Sequence, residues 1–229
     1  MTHRAVAVPQ LLTAVRVILG AYALMAALDG RLYAAATLVT LGAVTDGLDG
    51  FAARRLDAAS SFGALFDYFA DYICYVIAPW AIARSVLGRA DLWIDAALAI
   101  PLLTSAIRYA RNGLIVADTS QTNIELPGLG TVYFAFLTVV AVFLDAKHAL
   151  GDPTFSRAFV ALIIAFSLLM IAPFRNPKLT AFGHVPAIVL ILVAIMPFAA
   201  TKVLAAAMFL IGLLYPIIAR IYARPSQIR

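Results

Sequence analysis

The stretch DGLDGFAARRLDAASSFGALFDYFAD, residues 46–71, sets four carboxylates, Asp46, Asp49, Asp67 and Asp71, in or beside apolar runs. An ionised carboxylate inside a membrane helix costs about 2.5–3.5 kcal/mol on insertion scales, so four together require partners or a function. Arg54 and Arg55 offer charge for two of them. At about 100° per residue, Asp46, Asp49, Gly50 and Ala53 fall within one stripe about 100° wide on a helix. Gly63, Asp67 and Asp71, each four apart, form a matching stripe on the next helix, with a turn near Ala58 to Ser60 making the two antiparallel. Two carboxylates from each helix then converge. Hard oxygen donors of this kind suit Mg²⁺, Mn²⁺ or Ca²⁺ and, without His or Cys beside them, suit zinc poorly. Gly50, Ala53 and Gly63 leave space next to the acids, for close helix packing or for a ligand. The planar fork of Arg54 suits phosphate oxygens in the same pocket.

The rest of the chain explains where such helices sit. Of 229 residues, 64% are hydrophobic and 13% charged, a balance that excludes an ordinary water-soluble surface. Apolar runs of about 20 residues, long enough to cross a bilayer, recur along the sequence. They give eight candidate helices at roughly 8–28, 31–56, 60–87, 91–112, 129–148, 154–173, 181–200 and 202–222. The fold class expected is all-α, a polytopic membrane helix bundle of about eight transmembrane helices. No repeat or long linker divides it, so residues 1–229 read as a single domain, and the first apolar run reads as a retained span rather than a cleaved signal.

Cationic loops are retained on the cytoplasmic side, and an even number of crossings puts both termini together. With the termini inside, that side holds ten Lys or Arg, the other side six, and Arg16 remains within the first helix. The expected location is therefore a cytoplasmic or inner membrane with the site facing the cytoplasm. The net charge of +5 is scattered over loop ends, which points to anionic lipid headgroups rather than nucleic acid. Cys74 is alone and reads as a small buried side chain.

The spacing Asp46-x2-Asp49-Gly50-x2-Ala53-Arg54-x8-Gly63-x3-Asp67-x3-Asp71 resembles the full signature of the CDP-alcohol phosphotransferase family at every fixed position and gap. The resemblance implies a six-helix catalytic core plus two helices, a homodimer, and phosphatidyl transfer from CDP-diacylglycerol to a small polar alcohol with release of CMP. It implies two divalent ions, Mg²⁺ or Mn²⁺ with Ca²⁺ as a further option. Asp46, Asp49 and Asp67 are then metal ligands, and Asp71 is the general base that also shares a metal. Gly50, Ala53, Arg54 and Gly63 line the CDP moiety.

The acceptor is read from residues further on. Ala106-Ile107-Arg108-Tyr109-Ala110-Arg111-Asn112 and Leu126-Pro127-Gly128 resemble segments of the phosphatidylserine synthases. Arg108 and Arg111 can grip an anionic acceptor such as serine, or lie at a helix end in the headgroup layer. Tyr72, Tyr75, Trp80 and Tyr109 offer an aromatic cage for choline, or a membrane-interface belt. Serine leads; choline, glycerol phosphate and inositol phosphate follow. An ion-coupled transporter is the rival class, since buried membrane acids also mark ion paths, though no repeated half accompanies them. His148 and His184 read as solvated residues at membrane edges, Arg175 and Lys178 as a basic turn, and Pro101, Pro173 and Pro197 as helix kinks or ends. Residues 118–122 read as a surface loop or re-entrant lid.

Overall fold

The structure is a computed structural model and describes residues 3–56, 60–88, 91–118, 127–144 and 152–173. These residues form α1 (His3–Leu28), α2 (Leu32–Arg55), α3 (Ser61–Tyr72), a π-helical turn (Ile73–Ile77), α4 (Ala78–Leu87), α5 (Leu92–Asp118), α6 (Val132–Phe143) and α7 (Pro153–Ile171). Among the described residues there is no β-strand. Four stretches are long and apolar enough to cross a membrane: Val8–Leu28, Ser61–Leu87, Leu92–Ile115 and Pro153–Ile171. These are the dimensions of an integral membrane protein. Of the eight expected helices, those at 181–200 and 202–222 lie outside the described residues, as do His148, Arg175, Lys178, His184 and Pro197.

Local chemistry sets the helix ends. Gly30 has φ 74°, a left-handed backbone open to glycine, and Arg31 N–H bonds back to Ala26 O at 2.8 Å. This closing turn makes α1 and α2 an antiparallel hairpin with a three-residue connection. Ser60 caps α3 by accepting from Gly63 N–H at 3.0 Å, and Asp152 caps α7 by accepting from Thr154 N–H at 2.7 Å. Gly88, at φ 63°, ends α4. Pro101 is accommodated inside α5, which runs on to Asp118, so the polar stretch expected to open there begins as helix.

The α1–α2 hairpin packs on alanines, Ala23, Ala26, Ala27, Ala35 and Ala36, all buried. Small faces let backbones approach closely, which is how helices associate where lipid removes the hydrophobic drive. Large apolar residues point the other way: Leu11, Ile18, Phe69, Leu92, Leu103 and Leu114 are all exposed. An outward apolar coat of this extent is a surface for lipid rather than water.

A second junction closes the far side of the bundle. Pro173 lacks an N–H, so it cannot cap the Leu169 carbonyl four residues earlier. Leu129 N–H does so instead, at 2.9 Å. Arg111 donates from Nη1 to Ile171 O at 3.1 Å, and from Nη2 to Pro127 O at 2.8 Å and Met170 O at 3.4 Å. Gly128 makes this contact possible: its φ is 86°, and a Cβ there would stand 2.0 Å from Met170 O. The three residues Gly128–Gly130 therefore stay non-helical, and α6 starts at Val132 rather than at the expected residue 129.

Candidate active site

The site is built where α1, α2 and α3 meet the π turn. Gly20 and Gly42 allow α1 and α2 to close on Cys74. A Cβ on Gly20 would sit 3.0 Å from Cys74 Cα, and one on Gly42 would sit 2.4 Å from Cys74 Sγ. Cys74 is fully buried in this crossing. Asp46 follows Gly42 by one turn, so this contact sets how far the acids of α2 stand from those of α3.

The acids do come together. Asp46, Asp49 and Asp67 each place one oxygen within 4.8 Å of the other two. The side chains of Asp46 and Asp67 are 40% and 39% exposed, whereas Asp49 is 8% and Asp71 20%. The cage is thus open on the Asp46–Asp67 side and closed around Asp49. Thr13 on α1 packs at the closed end, its hydroxyl 3.1 Å from Asp49 Oδ2 and 3.0 Å from Pro9 O, and it can donate to one of these at a time.

At the centre stands Arg16, fully buried. Its Nη1 bonds Asp46 Oδ1 and its Nη2 bonds Asp67 Oδ1. Nη2 is also 3.6 Å from Asp49 Oδ2, and Nη1 is 3.0 Å from Asp71 Oδ1, an ion-pair distance off the hydrogen-bond direction. The Tyr75 ring lies 6.0 Å from the guanidinium carbon. This corrects the pairing expected of Arg55. Arg55 is exposed, 6.0 Å over the Phe51 ring, and the side chain of Arg54 lies outside the described residues. One guanidinium with four surrounding carboxylates is a strongly anionic set of hard donors, and carboxylate oxygens this close together fit a divalent cation.

Gly50 and Ala53 are half-buried on the acid-bearing helix, and Gly63 sits in the first turn of α3 with its amide engaged by Ser60. Arg108 on α5 lies 5.7 Å from the Tyr109 ring and close enough to Asp71 and Tyr68 to interact with both electrostatically. Its buried Nε has no hydrogen-bond partner. Arg111, expected beside it at the acceptor, has both Nη groups bonded to the carbonyls of the α7 junction. The four aromatics do not close into one cage. Tyr75 is buried against Arg16, Trp80 packs on the core, Tyr72 donates to Leu102 O at 3.2 Å, and the Tyr109 hydroxyl pairs with Thr131 at 2.5 Å. Tyr68, Tyr72 and Tyr109 do line, with Leu65 and Ala106, an apolar groove of about 310 Å³ between α3 and α5.

Sequence reasoning did not assign Arg16, Thr13, Gly20 or Gly42 to the site. Arg16 carried a usable signal, because a lone guanidinium in the middle of an apolar span needs an anionic partner, and two of the four acids lacked one even with Arg54 and Arg55 counted.

The family model for CDP-alcohol phosphatidyltransferase matches residues 6–218. The CDP-diacylglycerol–serine O-phosphatidyltransferase of Helicobacter pylori is 30% identical over 171 residues, covering 74% of this chain and 71% of that protein. The archaetidylserine synthase of Methanothermobacter thermautotrophicus is 29% identical over 183 residues, 78% of this chain and 72% of its own length. A Bacillus subtilis CDP-diacylglycerol–serine O-phosphatidyltransferase is 34% identical over 79 residues, 34% of this chain and 45% of its own. With a family match running nearly end to end over a cage of membrane carboxylates, the chain belongs to the CDP-alcohol phosphatidyltransferase family, and is a phosphotransferase rather than an ion-coupled transporter.

Proposed function

We propose that the chain transfers the phosphatidyl group of CDP-diacylglycerol to the hydroxyl of L-serine, giving phosphatidylserine and CMP. The observation that carries this reading is the meeting of Asp46, Asp49 and Asp67 oxygens within 4.8 Å, with Asp71 one turn further along the same helix as Asp67. In this reading Asp46, Asp49, Asp67 and Asp71 would hold Mg²⁺ or Mn²⁺, which when bound neutralises pyrophosphate charge and eases departure of CMP. Asp71 accepts the proton of the serine hydroxyl as its oxygen attacks the lipid-side phosphorus, the new P–O bond forming as the bond to CMP breaks. Gly50, Ala53, Arg54 and Gly63 border the CDP moiety.

Arg108 lies within electrostatic range of Asp71 and its Nε has no partner, which suits it to the serine carboxylate. Arg111 is reassigned in this reading to bracing the α7 junction. An anionic acceptor is favoured over choline because Tyr72, Tyr75, Trp80 and Tyr109 do not close into one cage, and the serine-specific names of the relatives point the same way. The open side of the cage, at Asp46 and Asp67, faces the polar cytoplasmic boundary in this scheme, the chain acting as one domain and as a homodimer in a cytoplasmic or inner membrane. The test is release of labelled CMP from CDP-diacylglycerol by the purified protein with Mn²⁺ and a panel of serine, choline, glycerol phosphate and inositol phosphate. Metal-dependent release driven by serine above the others is expected; release driven by choline or a sugar phosphate would replace the acceptor, and no release with any alcohol would end the reading.

A further inference from the structure

The four acids are not an empty cage: a residue of the chain fills it. Arg16 is fully buried and within ion-pair distance of all four carboxylates, which come from two different helices. The oxygens that it engages include those of Asp46, Asp49 and Asp67, the trio positioned for a cation. A divalent cation and the guanidinium compete for those oxygens, because two positive charges at close range repel, with least screening at the closed Asp49 end. Removing the guanidinium alone would leave four carboxylates facing one another, an arrangement that destabilises the fold until a replacement cation binds. The guanidinium is held through its two Nη atoms alone, since its Nε has no partner, and its stem passes Gly42, where a Cβ would lie 3.8 Å from Arg16 Cγ.

We propose that Arg16 is the resident counter-cation of the acid cage, holding the four carboxylates together until divalent metal displaces its guanidinium. The inference rests on the functional reading above. Arg16 is then a positioning residue that competes with metal: it stabilises the metal-free protein and weakens metal binding.

The experiment uses the full chain in detergent, with Mn²⁺ alone as the probe, and compares wild type, Arg16→Met and Arg16→Lys by thermal unfolding and Mn²⁺ titration. Arg16→Met should unfold at lower temperature than wild type without metal, recover most of that difference in saturating Mn²⁺, and bind Mn²⁺ about tenfold more tightly, since a binding penalty has been removed. Arg16→Lys, which keeps the charge but not the fork, should fall between them. An Arg16→Met dissociation constant equal to or weaker than that of wild type overturns the proposal. If Arg16→Met folds only when purified in Mn²⁺, that supports it. If it folds in neither condition, Arg16→Lys decides: tighter binding than wild type supports the proposal, and equal or weaker binding overturns it. Metal-dependent CMP release with unaltered affinities in the variants defeats this inference alone, whereas absence of Mn²⁺ binding in every form defeats it together with the functional reading.

Discussion

Replacing Gly42 by Ala adds a single methyl group where the structure has no room for one. The new Cβ would lie 2.4 Å from Cys74 Sγ, more than 1 Å inside the roughly 3.5–4.0 Å at which such atoms attract. Its next neighbours, Arg16 Cγ at 3.8 Å and Cys74 Cβ at 3.9 Å, are ordinary contacts, so the whole conflict rests on one sulfur. Overpacking of this kind costs about 1–3 kcal/mol. For a chain of this length that is about 2–4 °C of melting temperature per kcal/mol. The relief available to α2 is to move away from the π turn, carrying Asp46 with it. A displacement near 1 Å at a reacting centre lowers turnover on the order of 10²-fold. The assay is thermal unfolding together with metal-dependent CMP release, run on Gly42→Ala, Cys74→Ala and the double variant. The double variant should be more stable and more active than Gly42→Ala alone, because removing Sγ opens the place the methyl needs. A Gly42→Ala protein indistinguishable from wild type, or one that Cys74→Ala fails to rescue, would refute the argument that this crossing sets the spacing of the acids.

Other outcomes are expected from the same geometry. Asp67→Asn should insert and fold yet lose CMP release by at least about 10³-fold, as removal of a directly stabilising group at a phosphoryl centre does; turnover near wild type would count heavily against metal catalysis. Arg108→Ala should raise the KM for serine about tenfold or more while leaving that for CDP-diacylglycerol nearly unchanged, and an equal rise in both would remove it from the acceptor. Arg111→Ala should instead destabilise the fold by about 1–3 kcal/mol of lost charged hydrogen bonds, read as a lower melting temperature, with little change in the serine KM. Gly128→Ala should be at least as damaging to stability, because its added Cβ meets a backbone carbonyl that cannot yield.

The helices that carry the acids were legible because their pattern is local. Asp46 and Asp49, and Asp67 and Asp71, repeat at helical spacing, and Ser60 marks the start of α3 as a capping residue. Arg16 was legible only in principle. It lies 30 residues before Asp46 and 51 before Asp67, so no spacing rule connects them, and only the cost of an isolated membrane charge hinted at a partner. The π turn at Ile73–Ile77 left no trace, since its residues are as well suited to an ordinary helix. Arg111 could not be separated from Arg108 by sequence, both being guanidiniums one turn apart on the same helix. What distinguishes them is Pro173, whose missing N–H leaves α7 with carbonyls that another part of the chain must cover.

The π turn has a consequence for how this span tolerates change. It accommodates about one more residue per turn than the α form, so the segments Ser61–Tyr72 and Ala78–Leu87 are held in phase with their separate neighbours by a surplus amino acid between them. Excising Val76 or Ile77, past the Cys74 and Tyr75 contacts, would let the ladder close into regular α-helix while Asp71 upstream and Ser85, bonded to Ala27 O at 3.0 Å, keep their partners. Excising one residue from either flanking segment would instead rotate half of the span by about 100° and turn its polar side chains into lipid. Single-residue deletions scanned across 61–87 should therefore abolish metal-dependent CMP release everywhere except at the end of this turn, past the buried Cys74 and Tyr75.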